Sequence, residues 1–491
     1  MVSEDEMKIG KLLATLLAVS LALPMCACKP KSKDETKDSS EESSSELSSS
    51  SESESVVPTD SSSETEPTTG PTVPSSVTDE SEDPIVIYGY DKNFKGELEE
   101  YLPDLAFEYI YLEPTVYVQE LKKAFDSEDK KPDLFMMDAN SLPNFTASDY
   151  AIGIEQVGIS RSDLSDQFEY TYKAATDKEN SIKALAMDLA PTAIIYNRKL
   201  AKQMLGSADP SKVSPMLSDW SALLEYAREV SMNSEGTMKL FADRQQLGRL
   251  FWAGHTAPWI VDGKVTIDAD FDKFFNLQTT LFEQSLTLEF EAGSEEWVRA
   301  INDGQCVMFF GSLVTASNVI GYVPGHTEEK PNTKATETGE PTDDTTTEPE
   351  ESGWSIVPAP TASYDGGNWL MVASTCDKKA TAAKILKTFT MDTTVMTDMV
   401  VKGKFVNSRS IMEKCAQDPN FASDFLSGQN PYTILVPEAE RIQIPDDPAV
   451  EKCAETEIWN LLVAFMNGEI ESMEEVKQQF SIGMEELLDL S

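Results

Sequence analysis

Between residues 85 and 138, apolar runs of strand length alternate with segments of helical spacing, and no other stretch restricts the architecture as tightly. IVIYGY reads as a strand, NFKGELEEY (residues 93–101) as a helix and AFEYIYLE as a second strand. YVQELKKAF (117–125) follows as a second helix and PDLFMMDA as a third strand ending at Asp138. Strand, helix, strand, helix, strand implies an α/β protein with a parallel sheet and helices on its faces. Such sheets take ligands beyond the carboxyl ends of their strands.

The pattern does not stop there. In IKALAMDLAPTAIIYNRKLAKQMLG a strand passes Pro191, resumes as TAIIYN and enters a helix. A long helix over 219–231, the Trp-rich turn FWAGHTAPWIVDGKVTID and the strand CVMFFG follow. Residues 325–352 (GHTEEKPNTKATETGEPTDDTTTEPEES) form a low-complexity insertion that must be a surface loop, after which strand sequence resumes at GWSIVPAP. Amphipathic helices dominate from Ala380 onward. At 491 residues the chain exceeds the ~250–300 at which single cores usually split. A second αβ pattern after Pro191 therefore suggests two separately wound lobes joined by crossing strands.

The amino-terminal part obeys different physics. Residues 12–25 (LLATLLAVSLALPM) are apolar enough for a signal-peptide core behind Lys8 and Lys11, but short for a bilayer crossing. Ser3, Glu4, Asp5 and Glu6 put negative charge where such signals want positive, so translation is expected to begin at Met7. Residues 1–27 are read as the signal. From 28 to 84 the chain is mostly Ser, Glu, Asp, Thr and Pro, with too little apolar surface to offset the entropy of ordering. It is expected to be a disordered tether with a span of roughly 40 Å.

Net charge is −45, and residues 29–84 (15 acids, 4 lysines) with 325–352 (9 acids, 2 lysines) carry −18 of it. So acidic a chain is unsuited to nucleic acid. Cys306, Cys376, Cys415 and Cys453 match no zinc spacing, and disulfides or buried thiols both remain open. Enzyme motifs are scarce. His255 and His326 are the two histidines, and HExxH, Walker A and GxSxG are all missing. DADFDK from Asp268 fails as a calcium loop at Lys273 and Thr279. No metal or cofactor is expected, and the chain is not read as an enzyme, although a carboxylate pair of the glycosidase kind need not be local in sequence.

Sugar rings offer an apolar face to aromatic planes and hydroxyls to carboxylates and amides. Tyr90, Asp91 and Asn93 after the first strand, Asp138 after the third, and Phe310 in CVMFFG are candidates on this ground. So are Trp252 and Trp259 in the Trp-rich turn, and Gly367, Asn368 and Trp369 in GGNW. Asp91 and Asn93 serve equally well as helix caps, and Asp138 can cap LPNF. Trp259, between Pro258 and Ile260, reads more readily as core. Gly366 and Gly367 would let a ligand approach the backbone beside Trp369.

KPDLFMMDA, APTAIIYNRKLAKQMLG with DPSKVSPMLSDWSALLEYA, APWIVDGKVTID, VPAPTASYDGGNWLMVAS and FMNGEIESMEEVKQQF, in this order, resemble the maltose-binding-like extracellular solute-binding proteins (family 1) of bacterial ABC sugar importers. The resemblance covers residues 84–490. It implies a two-lobed periplasmic-binding-protein-like (type II) clamp with hinge strands near Pro191 and Pro358 and a helical carboxyl-terminal region. One lobe would comprise 85–190 and 359–405, the other 191–358 and 406–491. It puts Asp91, Asp138, Trp252 and Trp369 in the cleft. Relatives commonly carry an aromatic just after the glycine of CVMFFG; here Gly311-Ser312-Leu313 follows, which moves stacking to Phe310 or Trp369. Met25-Cys26-Ala27-Cys28 resembles a lipobox, with Cys28 the lipidated residue and Cys26 the alternative. The implied partners are a carbohydrate, the transmembrane permease subunits of an ABC transporter and, through lipid, the outer face of the membrane of a Gram-positive bacterium. A monomer is expected. A surface adhesin or receptor using the same clamp, and a carboxylate-pair glycoside hydrolase, are the alternatives.

Overall fold

The computed structural model describes residues 76–324 and 353–488. The signal segment, Cys26, Cys28, the tether through residue 75 and the insertion 325–352 lie outside the described residues. Among the described residues no helix is long and apolar enough to cross a membrane.

In chain order the strands are β1 (Ile85–Gly89), β2 (Phe107–Tyr111), β3 (Leu134–Asp138), β4 (Ala184–Pro191), β5 (Ala193–Asn197) and β6 (Lys239–Phe241). They continue as β7 (Ile260–Val261), β8 (Lys264–Val265), β9 (Cys306–Gly311), β10 (Trp354–Val357), β11 (Tyr364–Val372) and β12 (Phe405–Val406). Two main sheets form, β12-β4-β11-β3-β1-β2 and β10-β5-β9-β6, beside a β7-β8 hairpin. The parallel unit expected from residues 85–138 is present, with β1 between β2 and β3. Antiparallel β11 and β4 extend it. Leu134, Phe135, Met136 and Met137 are all fully buried, which is why β3 reads as an unbroken apolar run rather than an alternating one. Helix Phe94–Tyr101 buries Phe94 and Leu98, and helix Tyr117–Asp126 buries Tyr117, Leu121, Ala124 and Phe125, each a single helical stripe.

The lobes are joined where strands change sheet. β4 ends at Pro191, and after Thr192 the chain continues as β5 in the second sheet; β10 returns through Pro358 and Pro360 to β11. These crossings run side by side. Thr192 donates its N–H to the Ser363 carbonyl at 2.9 Å, and their hydroxyl oxygens are 2.6 Å apart. On β5 alternate residues serve different cores. Ile194 and Tyr196 face an apolar cluster with Met308 and Phe310, while Ala193 and Ile195 join the cluster that runs into the first lobe.

Before β1, within the stretch expected to be tether, Asp79 accepts hydrogen bonds from the N–H groups of Ala380 (2.8 Å) and Thr381 (3.1 Å). It thereby caps helix Lys379–Thr390. Cys306, Cys376, Cys415 and Cys453 are buried thiols rather than disulfides.

Helices Pro448–Met466 and Met473–Leu487 close a third core with Trp252, Trp259, Phe271, Phe274 and Phe275. His255 is buried there, its Nδ1 3.2 Å from Glu451 and its Nε2 3.3 Å from Asp268. Burial alone would lower its pKa, but the Glu451 and Asp268 carboxylates outweigh burial and raise it. Glu451 lies in the first turn of Pro448–Met466, whose N-cap Asp447 reaches Lys178 of the first lobe at 3.1 Å. A histidine pKa raised by folding adds stability that is complete below the unfolded value of about 6.5 and is lost as pH climbs through the folded value. The gap in thermal stability between the wild type and His255→Gln should therefore be widest below about pH 6.5 and narrow as pH rises. A gap that widens with pH would contradict a charged imidazolium.

Candidate functional site

β1, β3 and β4 end at the same edge of the first sheet, the edge from which the chain crosses to the second lobe. Antiparallel β11 begins there. Its residue Asn368 stands opposite Asp138 of β3 on one side and Asp188 of β4 on the other. The Tyr90 hydroxyl donates to Asn368 Oδ1 at 2.7 Å. Asn368 donates its side-chain Nδ2 to both Asp188 oxygens, at 2.8 and 3.0 Å, and its backbone N–H to Oδ1 at 3.1 Å. Asn368 thus fixes a phenol and a carboxylate.

A bulge makes this possible. The β11–β4 register shifts between Tyr364 and Gly367 and again between Asn368 and Trp369. Gly367 has φ +115°, and a Cβ there would stand 3.0 Å from the Asp188 carbonyl oxygen and 3.1 Å from the Trp369 ring. The glycine serves the close approach of two strands rather than of a ligand.

Several aromatic candidates lie elsewhere. After the bulge Trp369 points into the interior, fully buried, and donates Nε1–H to the Thr171 carbonyl at 3.2 Å. Trp252 and Trp259 are buried in the third core, where Trp259 Nε1–H donates to Glu451 at 2.6 Å. Phe310 is buried and stacked on Phe241, with centroids 4.7 Å apart. None of the four presents an open face, because each is needed to fill a core. Asp91 acts as a turn cap, its Oδ1 accepting from the Asn93 N–H at 2.8 Å, whereas the Asn93 side chain makes no capping bond. Asp138 Oδ1 accepts from the N–H groups of Asn140 (2.8 Å) and Ser141 (3.0 Å). Its Oδ2 has no such partner among the described residues.

Four residues at this edge escaped the sequence reading: Asp188, Tyr170, Tyr364 and Asp365. Asp188 alone left a trace, as the one acid in the apolar strand ALAMDLAP. Asp365 reaches across to the second lobe. Its Oδ2 accepts from the Ser312 N–H at 3.1 Å and the Thr315 hydroxyl at 2.6 Å, at the start of helix Leu313–Ile320. Its side chain is exposed, yet desolvation raises its pKa, a combination found where protein surrounds an open surface. Desolvation also raises Asp188, against the lowering pull of Lys404 and Asn368 and with the help of Glu97 and Asp91. Tyr364 is pushed up to about 12 by burial. Tyr90 is raised first by desolvation and then by Asp138, Tyr117, Asp188 and Asp91. Surface concavities of about 720 Å³ beside Lys387 and about 500 Å³ beside Phe465 contain none of these residues. No grouping able to hold a metal ion occurs among the described residues.

A family model described as bacterial extracellular solute-binding protein matches residues 98–426. The chain belongs to that family. Solved structures with the same fold include an extracellular solute-binding protein of family 1, with a TM-score of 0.64 and 14% identity over 82% of this chain and 99% of that one. The ABC transporter associated binding protein of B. animalis subsp. lactis Bl-04, in complex with β-1,6-galactobiose, gives 0.56 and 16% over 83% and 97%. The GacH receptor of Streptomyces glaucescens, solved with and without acarbose, gives 0.58 and 14% over 83% and 99%. No curated protein matches the chain. The two-lobed architecture of this family accounts for the paired sheets and their double crossing.

Replacing Trp369 by alanine should destabilise the protein by about 3–5 kcal/mol, the range for a large buried aromatic. Chemical denaturation measures this directly. An unchanged midpoint would contradict the buried placement.

Proposed function

We propose that the protein is the lipid-anchored carbohydrate-binding component of a bacterial ABC importer, capturing a sugar between its lobes and passing it to the permease subunits. One observation carries the reading: β1, β3 and β4 deliver Tyr90, Asp138 and Asp188 to a single edge beside the double crossing, with Asn368 linking them. Sugar hydroxyls are donors, and such an edge is rich in acceptors. A wrong sugar leaves buried acceptors unpaired, which is where selectivity comes from. Relatives of the same fold solved with β-1,6-galactobiose and with acarbose support a carbohydrate ligand.

In this reading residues 85–190 with 359–405, and 191–358 with 406–491, move as units about Thr192 and Ser363. A ligand touching both lobes favours the closed form only through contacts that the open form lacks, and the permease reads that difference in shape. Asp91, Asn93 and Gly367 border the same edge, so they stay within the proposed site. Binding needs no catalytic step, and His255, held by Glu451 in the third core, stands apart from the site. Lipid on Cys28 and the acidic tether would keep the carrier at the outer face of the membrane, provided a second chain or signal reinforces the first.

Calorimetric titration of the full chain with neutral and amino oligosaccharides tests the carbohydrate reading, and Asp138→Asn, which keeps an oxygen for the Asn140 and Ser141 N–H groups, should weaken whatever binding is found with little change in thermal stability. Silence toward every carbohydrate would contradict it. Separately, Cys28→Ala with Cys26 also replaced should release the protein into the medium; retention at the cell surface would exclude the lipid anchor.

A further inference from the structure

Asp91, Asp138, Asp188 and Asp365 share this edge, and among the described residues none of them has a cationic side chain at ion-pair distance. Lys404 is the cation felt by Asp188, and its charge is already committed to Glu97 at 2.5 Å. Some carboxylates elsewhere are matched, as Asp133 is by Lys378 (3.2 Å) and Asp272 by Lys477 (2.7 Å), and others, such as Asp166, are held by neutral groups alone.

A second observation is independent of the acids. Tyr170 is 2% exposed, and its hydroxyl has no hydrogen-bond partner. Its ring stands 5.1 Å from that of Tyr364, and beyond desolvation the groups acting on its hydroxyl are Tyr364, Asp188 and Asp365. It is a buried polar group beside Tyr364, within electrostatic reach of Asp188 and Asp365, and left unsatisfied. A buried hydroxyl without a partner is unfavourable, so a ligand atom that partners it removes that penalty.

Resting on the carbohydrate reading above, we infer that the ligand is an amino sugar or aminated oligosaccharide whose protonated amine sits among Asp188, Asp365 and the Tyr170 hydroxyl. A neutral sugar would satisfy hydrogen bonds here yet leave the carboxylates desolvated and uncompensated once the lobes close. An ammonium supplies the missing charge and donates to carboxylate and phenol oxygens together. Tyr364, the half-buried aromatic of this group, offers a ring face to the same cation. With Trp252, Trp259, Phe310 and Trp369 committed to cores, charge takes over much of the role that stacking would have had.

The test is calorimetric titration of the full chain with glucosamine oligosaccharides of two to six sugars, their N-acetylated counterparts and glucose oligosaccharides of equal length, at a pH below that of amine ionisation. The charged series should bind about tenfold or more tightly than the acetylated series, with the ratio shrinking at high salt. Asp188→Asn, Asp365→Asn and Tyr170→Phe should each narrow that ratio, and thermal unfolding identifies any variant that fails to fold. Asp365, being exposed, is the variant best suited to survive. Equal or tighter binding of the neutral series overturns the charge assignment while the carbohydrate reading stands. Binding of spermidine with silence toward every sugar supports the charge assignment and overturns the carbohydrate reading. If none of these cations binds, the inference is wrong.

Discussion

The pairing of β4 with β11 is the constraint on which the rest depends. At one end it is an ordinary antiparallel ladder in the first core, with Leu370 opposite Leu185. At the other it becomes the double crossing, where Thr192 donates its N–H and its hydroxyl to the Ser363 carbonyl while the strands part for different sheets. Between those ends Trp369 turns inward and the bulge at Gly367 sets Asn368 against Asp188. Core, hinge and candidate site are therefore three parts of one ladder, and a change of register in it would disturb all three.

Carboxylates gather at this edge without cationic partners among the described residues. The edge acids are surrounded by protein and held in place by neutral partners: Asn368 on Asp188, Ser312 and Thr315 on Asp365, backbone N–H groups on Asp138. Neutral donors orient a carboxylate without cancelling its charge. Such an arrangement stays attractive to whatever cation or donor arrives from solution.

Legibility in the sequence followed the range of the interaction. β1, β3, β5, β9 and β10 could be read because burial on both faces makes a strand almost continuously apolar, a property of a few adjacent residues, and β2 because its aromatic and β-branched residues favour a strand. Trp369 was misread because successive strand residues face opposite sides, and the face opposite Asn368 is covered by the core that holds Thr171, 198 residues away in sequence. Trp259 read as core from its Pro258 and Ile260 neighbours and is buried, whereas nothing near Trp252 announces the helix pair from the far end of the chain that buries both; Trp259 and Glu451 are 192 residues apart. Asp188 and Asn368 are separated by 180 residues, so their bond had no sequence signal beyond an isolated acid in an apolar strand. The position of Asp138 was legible because it closes a strand of the parallel unit, whatever the distant partners.

The central claim is that the guest is held between the lobes at the carboxyl ends of β1, β3 and β4. A crystal structure of the protein soaked or grown with its tightest-binding ligand tests this most directly. The account predicts ligand atoms within hydrogen-bond distance of Asp138 or Asp188 on one side, and of the second lobe near the start of helix Leu313–Ile320 on the other. Ligand density on an outer helical surface, with the edge of the first sheet still open to water, would contradict it.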